Sequence, residues 1–276
     1  IRDSSHRDGH EIYIKEFKEL IGKSLKEAER YFENVLPLGI LRKTNQGSEL
    51  LLEPETIITE NDKPLFMAQD SNSIEISPHP HGQNPSIERP PLNLPEARSR
   101  DVLIIGEQEN AKAIQHELSS YTDFHAKVDV VQDYSIVNLK NYNKIVILPL
   151  RNLNLRSDEV DQLTIHKFFM LRATLSKLDH HPDILVELES PTAAEAFADE
   201  NRCDVIVPAY ISSHLIAHVG LRRELSQVFE EVLGPNGCDM TLYHAGVYNI
   251  EVPKTYTFGQ LKAIVRSYGH VLIGFR

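Results

Sequence analysis

From Asp101 onward, short apolar strands alternate with amphipathic helices, and few folds accommodate that alternation. Asp101–Ile105 is an apolar run that ends at Gly106, and a helical pattern follows through Ala111, Ile114 and Leu118. Lys127–Val131 and Lys144–Leu148 read as strands. Asp158–Leu178 has helical period, with Val160, Leu163, Phe168 and Leu171 on its apolar stripe. A strand at Asp183–Leu188, a helix at Ala193–Asp199, a strand at Asp204–Val207 and a helix from Ser212 to Val232 follow. Strands that lie side by side in parallel must be joined by crossovers, and a helix is the usual one. The pattern therefore predicts a parallel sheet with right-handed crossovers and helices on its faces.

The fold class is α/β, with a Rossmann-like parallel-sheet lobe over 101–233 and small α+β units flanking it. The first of these, 1–72, reads as a strand at Glu11–Lys15, a helix and a three-strand meander. Ser24 followed by Glu27 is a capping-box pattern, so the helix starts there and runs through Leu25, Ala28, Tyr31 and Phe32. The meander is predicted at Leu36–Leu41, Leu50–Leu52 and Pro64–Ala68. A linker, 73–100, separates the two lobes: Ser77 to Arg100 carries Pro78, Pro80, Pro85, Pro90, Pro91 and Pro95. So many prolines remove ladder donors and helix geometry, which leaves an extended chain. Residues 234–276 loosely repeat the beginning: a strand at Tyr248–Val252, a helix opened by Thr257-Phe258, and a strand at His270–Phe275. Ser24-Leu25 and Ala28 match Thr257-Phe258 and Leu261 in order.

Charge narrows the partners. The 276 residues hold 40 acidic and 29 basic side chains, a formal net charge of -11, which argues against a surface built to neutralise nucleic-acid phosphates. Between 101 and 233 there are 21 acids against 12 bases, which suits cations better than a phosphate-rich cofactor. No apolar run approaches the roughly 18 to 20 residues of a spanning helix, and no secretory signal is present. The chain opens on Ile1 rather than Met, which predicts a piece of a longer protein. Cys203 and Cys238 lie far apart without a CxxC motif, as expected of reduced thiols.

Two candidate sites fall at strand ends. The turn Gly106–Ala111 stands where a dinucleotide fingerprint would be, yet Gln108 and Ala111 replace its other glycines. Glu107 and Glu109 would set negative charge where a phosphate meets a helix N-terminus. Asp133 follows the second strand at about the ribose-binding distance, where an ordinary solvated acid is equally expected. Gly106 and Asp133 are thus the cofactor-binding candidates, and NAD is disfavoured by the residues around them. Glu187 and Glu189 share one face at strand spacing, beside Ser190. Carboxylates are the hard oxygen ligands that calcium prefers, so these two are the metal candidates, against the plain reading of a solvated strand end. His79 and His81 lie in the linker, and His180-His181 precede Pro182, in neither case with a third ligand at metal spacing. No GxSxG elbow, HExxH motif or nucleophilic cysteine setting is present. Catalysis by this chain is not expected.

The order of lobes resembles the RCK domains that regulate potassium conductance. The stretches Gly22–Leu25, Gly39–Arg42 and Asn61–Leu65 look like the C-terminal lobe of one such domain. Residues 101–276 are similar to the second RCK domain of CASTOR/POLLUX-type ion channels, on the stretches Asp101–Gly106, Ile184–Ser190, Cys203–Val207, Phe229–Gly237 and Gly269–Arg276. The resemblance implies the ligand-sensing, gating region of a tetrameric cation channel, potassium-conducting or calcium-regulated. It further implies a gating ring at the cytosolic face of the cell membrane, attached to its own pore segment, which would be the only membrane contact. Alternatives are a peripheral, TrkA-like regulatory subunit of a potassium uptake system and, from another class, an NAD-dependent oxidoreductase.

Overall fold

The computed structural model describes residues 9–33, 35–44, 47–81, 90–94, 101–120, 127–151, 154–234, 238, 240–252 and 254–275. In chain order its elements are β1 (Glu11–Ile14), α1 (Leu25–Ala28), β2 (Leu36–Thr44), β3 (Gly47–Leu51) and β4 (Asp62–Ala68). Then come β5 (Val102–Ile105), α2 (Gln108–Ser120), β6 (Val128–Val131), β7 (Lys144–Ile147), α3 (Ser157–Lys177) and β8 (Asp183–Glu187). The last are β9 (Cys203–Ile206), α4 (Pro208–Leu221), α5 (Leu225–Leu233) and α6 (Phe258–Arg266). Tertiary contacts divide the chain into two units, 1–96 with 224–276, and 97–223.

The first unit is built on a four-stranded antiparallel sheet of order β1-β4-β2-β3. The expected meander is corrected in one respect: β4 inserts between β1 and β2 instead of following β3. The sequence of β4 explains this, because five of its seven residues are buried and a strand buried on both faces belongs inside a sheet. Phe66 and Ala68 face the core with Leu25, Ala28, Ile40 and Phe32, while Leu65 packs with Leu41 against Leu225 and Val228 of α5. Phe17 meets Phe32 and Phe66 edge to face at centroid distances of 5.5 and 5.8 Å, a geometry favoured by the ring quadrupole, and Phe32 lies tilted against Phe66 at 4.8 Å. The β2–β4 register is pinned where Arg42 stands opposite Asp62. Asp62 is buried, and its carboxylate accepts from Arg42 Nε at 2.8 Å, Arg42 Nη2 at 2.6 Å and the Thr59 N–H at 2.8 Å.

The capping box forms as expected: Ser24 Oγ accepts from the Glu27 N–H and Glu27 Oε2 accepts from the Ser24 N–H at 2.9 Å. Helix α1 is short, passing into a 3-10 turn at Glu29–Tyr31. The same reciprocal cap recurs at α6, between Thr257 and Gln260. Arg266, buried at the end of α6, pairs with Glu29 and donates to the Leu52 carbonyl at 3.0 Å. The two strands predicted beside α6 do not form. Ala245–Tyr248 is a 3-10 turn and 270–275 is irregular, and neither stretch has a ladder partner among the described residues. Without a partner, extended backbone has nowhere to place its N–H and C=O groups except side chains and water.

The second unit is α/β and Rossmann-like, as expected. Its five strands are all parallel, in the order β6-β5-β7-β8-β9. Strand β5, between β6 and β7, is buried along its whole length. One face carries Leu103, Ile105, Ile145, Ile147 and Val186 beneath Phe168 and Leu171 of α3. The other carries Val102, Ile104 and Val146 beneath Ala111 and Ile114 of α2. The single helix predicted from Ser212 to Val232 is two, α4 and α5, with Arg222 capping α4 in a non-helical conformation. Helix α4 has no buried residue and no Asp, Glu, Lys or Arg, and it exposes Tyr210, Ile211, Ile216 and Leu221. Among the described residues no helix is long and apolar enough to cross a membrane.

Candidate functional site

In a parallel sheet, ligands collect outside the C-terminal ends of the strands, at the point where the chain reverses its direction of winding. Here that point lies between β5 and β7, since β6 is added on one side of β5 and β7 on the other. Gly106 ends β5 and Leu148 follows β7, and the two are in close contact. A Cβ on Gly106 would sit 2.7 Å from Leu148 Cβ. The glycine is therefore required by the approach of two strand ends, and Leu148 fills the space beside it.

Asp133 lies past the end of β6, exposed, as the N-cap of a 3-10 turn. Its carboxylate accepts from the Ser135 N–H at 2.9 Å and from Ser135 Oγ at 2.8 Å. These bonds hold its pKa below the ordinary carboxylate range. The half-buried Lys167 of α3 feels both Asp133 and Glu107, while burial lowers its own basicity. The sequence reading missed Lys167, which lies on the α3 stretch but stands between apolar neighbours, Ile165 and Phe168. The cofactor candidates thus stand at the ends of adjacent strands, each with a partner from the chain itself.

Glu187 and Glu189 do come together, and a cation lies between them. Arg151 Nη2 donates to Glu187 Oε1 and Arg151 Nε donates to Glu189 Oε1, both at 2.6 Å. All three are partly shielded, their side chains retaining 39%, 16% and 26% of full exposure for Arg151, Glu187 and Glu189 respectively. The guanidinium is held in its charged form by both carboxylates against the opposing effect of burial. Beneath the same turn lies a third carboxylate, Asp161 of α3, almost fully buried. It accepts from the Glu189 N–H at 2.7 Å and the Ser190 N–H at 3.0 Å, and so fixes the backbone that presents Glu189. Ser190 Oγ is bonded to Thr192 Oγ1 at 2.7 Å. Asp161 has both oxygens on backbone N–H groups, so Glu187 and Glu189 are the two carboxylates that face the guanidinium.

Sequence spacing did not reveal Arg151 or Asp161, which lie 36 and 28 residues from their partners. The usable signal was topological: β7 and β8 are neighbours, so a basic residue four positions past the end of β7 falls beside the end of β8. His81 bonds Ser77 Oγ at 2.7 Å and His180 bonds the Tyr142 carbonyl at 2.8 Å. Among the described residues, no group of three His, Cys, Asp or Glu side chains is arranged to hold a metal. Burial pushes the Cys203 thiol up to about 11, so it is not an activated nucleophile.

No protein-family model matches the sequence, and no curated protein matches it. Solved structures similar to it include the GsuK channel bound to NAD, at 14% identity over 77% of this chain and 37% of that one, with a TM-score of 0.34. The GsuK RCK domain aligns at 11% identity over 81% of this chain and 48% of that one, with a TM-score of 0.33. The chain thus spans less than half the length of these structures.

Proposed function

We propose that this chain is a cation-sensing regulatory region of RCK type, belonging to a cation channel and acting at the cytosolic face of its membrane. In this reading 1–72 is the end of one RCK-like domain, 101–233 is the Rossmann-like lobe of the next, and 234–276 begins its second lobe. The observation that carries the reading is Arg151, lodged between Glu187 and Glu189 at the ligand edge of the parallel sheet. Two carboxylates already satisfied by an internal cation form a site at which calcium competes with a guanidinium. Glu187 and Glu189 would hold the calcium, with water completing its coordination. Arg151, on the connection between β7 and α3, would then be released. A ligand shifts a conformational equilibrium only through its different affinity for the two states. Here that difference is the presence or absence of the Arg151 bridge.

Assembly follows from α4. A helix with no Asp, Glu, Lys or Arg, no buried residue and exposed Tyr210, Ile211, Ile216 and Leu221 supports packing between copies, in a homotetramer or gating ring. The pore domain of the same protein would be its membrane partner, with no chemistry performed by this region. Calorimetric titration with calcium tests the site. The wild type should bind with a Kd in the range of about 10⁻⁴ to 10⁻³ M, as expected for a weak site with few protein ligands. Glu187→Ala/Glu189→Ala should show no binding, and identical isotherms for the two proteins would contradict the assignment.

A further inference from the structure

Pro90 to Leu94 is docked, not idle. This segment has neither helix nor strand structure, and three hydrogen bonds fasten it to residues 247–268 of the same unit. Tyr268 Oη donates to the Pro90 carbonyl at 2.8 Å, and Asn249 Nδ2 donates to the Pro91 carbonyl at 3.1 Å. The Asn93 N–H donates to the Val247 carbonyl at 3.0 Å. An extended proline segment makes no hydrogen bonds within itself, so its carbonyls are free for donors on a receptor. Polar donors set among aromatic rings are how such segments are read.

The receptor side is built. Tyr248 meets Tyr268 edge to face at 5.7 Å and Tyr243 at 6.0 Å. Tyr248 Oη is bonded to His270 Nδ1 at 2.8 Å, which ties the 3-10 turn to the residues after α6. Asn249 ends the 3-10 turn in the left-handed conformation, with φ at 55°, that asparagine adopts more readily than most residues. The docked segment itself is lightly seated: Leu92 is half-buried, while Pro90, Pro91, Asn93 and Leu94 are exposed.

We infer that the surface of Val247, Tyr248, Asn249 and Tyr268 is a recognition site for a proline-rich, extended peptide of a partner protein, occupied in cis by the chain's own Pro90–Leu94. The occupant seated there defines the chemistry: consecutive prolines that present carbonyls, followed by one N–H that donates to the Val247 carbonyl. A tethered segment competes at an effective concentration in the millimolar range, so a partner peptide must displace it.

The test is fluorescence anisotropy of a labelled Pro-Pro-Leu-Asn-Leu peptide titrated into the full chain. Pro90→Gly/Pro91→Gly keeps both carbonyls but raises the entropy lost on docking, so it should bind the peptide about tenfold more tightly than wild type. Adding Tyr268→Phe to that variant should weaken binding by about tenfold. Asn249→Gly should do the same without disturbing the fold, because glycine accepts the positive φ. The inference is overturned if the loosened variant binds no better than wild type, or if the Tyr268 and Asn249 changes leave binding intact. Concentration-dependent dimers of the loosened variant without peptide would overturn it too, in favour of segment exchange between copies.

Discussion

Asp62→Ala is expected to cost the antiparallel unit about 3 kcal/mol, the low end of the range for breaking a buried ion pair. The low end applies because the Arg42 side chain keeps 32% of its exposure and can recover some hydration, whereas Asp62 keeps none. The loss also leaves the Thr59 N–H without its acceptor and removes the pair that pins β2 against β4. Urea denaturation of wild type and variant measures it. The same carboxylate gives an acid limb. Burial works against its charge, but hydrogen bonds from Arg42 and Thr59 prevail, so the folded pKa lies below the ordinary value of 3.8. A depressed acid contributes stability that is fully present above its unfolded pKa and is lost as pH falls toward the folded one. Stability should therefore decline below about pH 4 in the wild type and more shallowly in Asp62→Asn. Equal acid limbs would contradict the assignment.

Gly106→Ala should destabilise the parallel-sheet unit by about 1 to 3 kcal/mol, the usual penalty for overpacking a filled core. The added methyl would meet Leu148 at its Cβ, which cannot swing aside as the tip of a flexible side chain would. Leu148→Ala should not rescue the variant fully, since it keeps that Cβ. Thermal unfolding without any added nucleotide decides between two roles for this glycine. A packing glycine lowers Tm in the bare protein, whereas a glycine needed only for a cofactor would leave it unchanged.

Local signals were legible, and contacts between distant residues were not. The capping box at Ser24 could be read because three residues of spacing contain the whole interaction, and the helix opened by Thr257 could be read from its likeness to that start. Strands β5 and β7 of the parallel sheet were equally plain, because burial on both faces leaves a nearly continuous apolar run. The place of β4 between β1 and β2 was hidden, since a strand's neighbours depend on which edges remain free. The strands expected near Tyr248 and His270 failed for a related reason: an apolar run is only half of a strand, and its ladder partner is the other half. At the candidate site, Glu187 and Glu189 were readable from strand spacing. The guanidinium between them arrives from a neighbouring strand, and the buried Asp161 arrives from a helix. Those two residues turn a pair of acids into a site already filled by an internal cation.

In the proposed function, Arg151 competes with an external cation for Glu187 and Glu189. Calcium titration of Arg151→Gln measures this most directly, because the change removes the internal charge and leaves both carboxylates in place. Removing the two charge-assisted bonds to Glu187 and Glu189 should tighten the Kd about tenfold relative to wild type, equivalent to about 1.4 kcal/mol. An Arg151→Gln isotherm that matches wild type, or one that shows no calcium binding, would contradict the account.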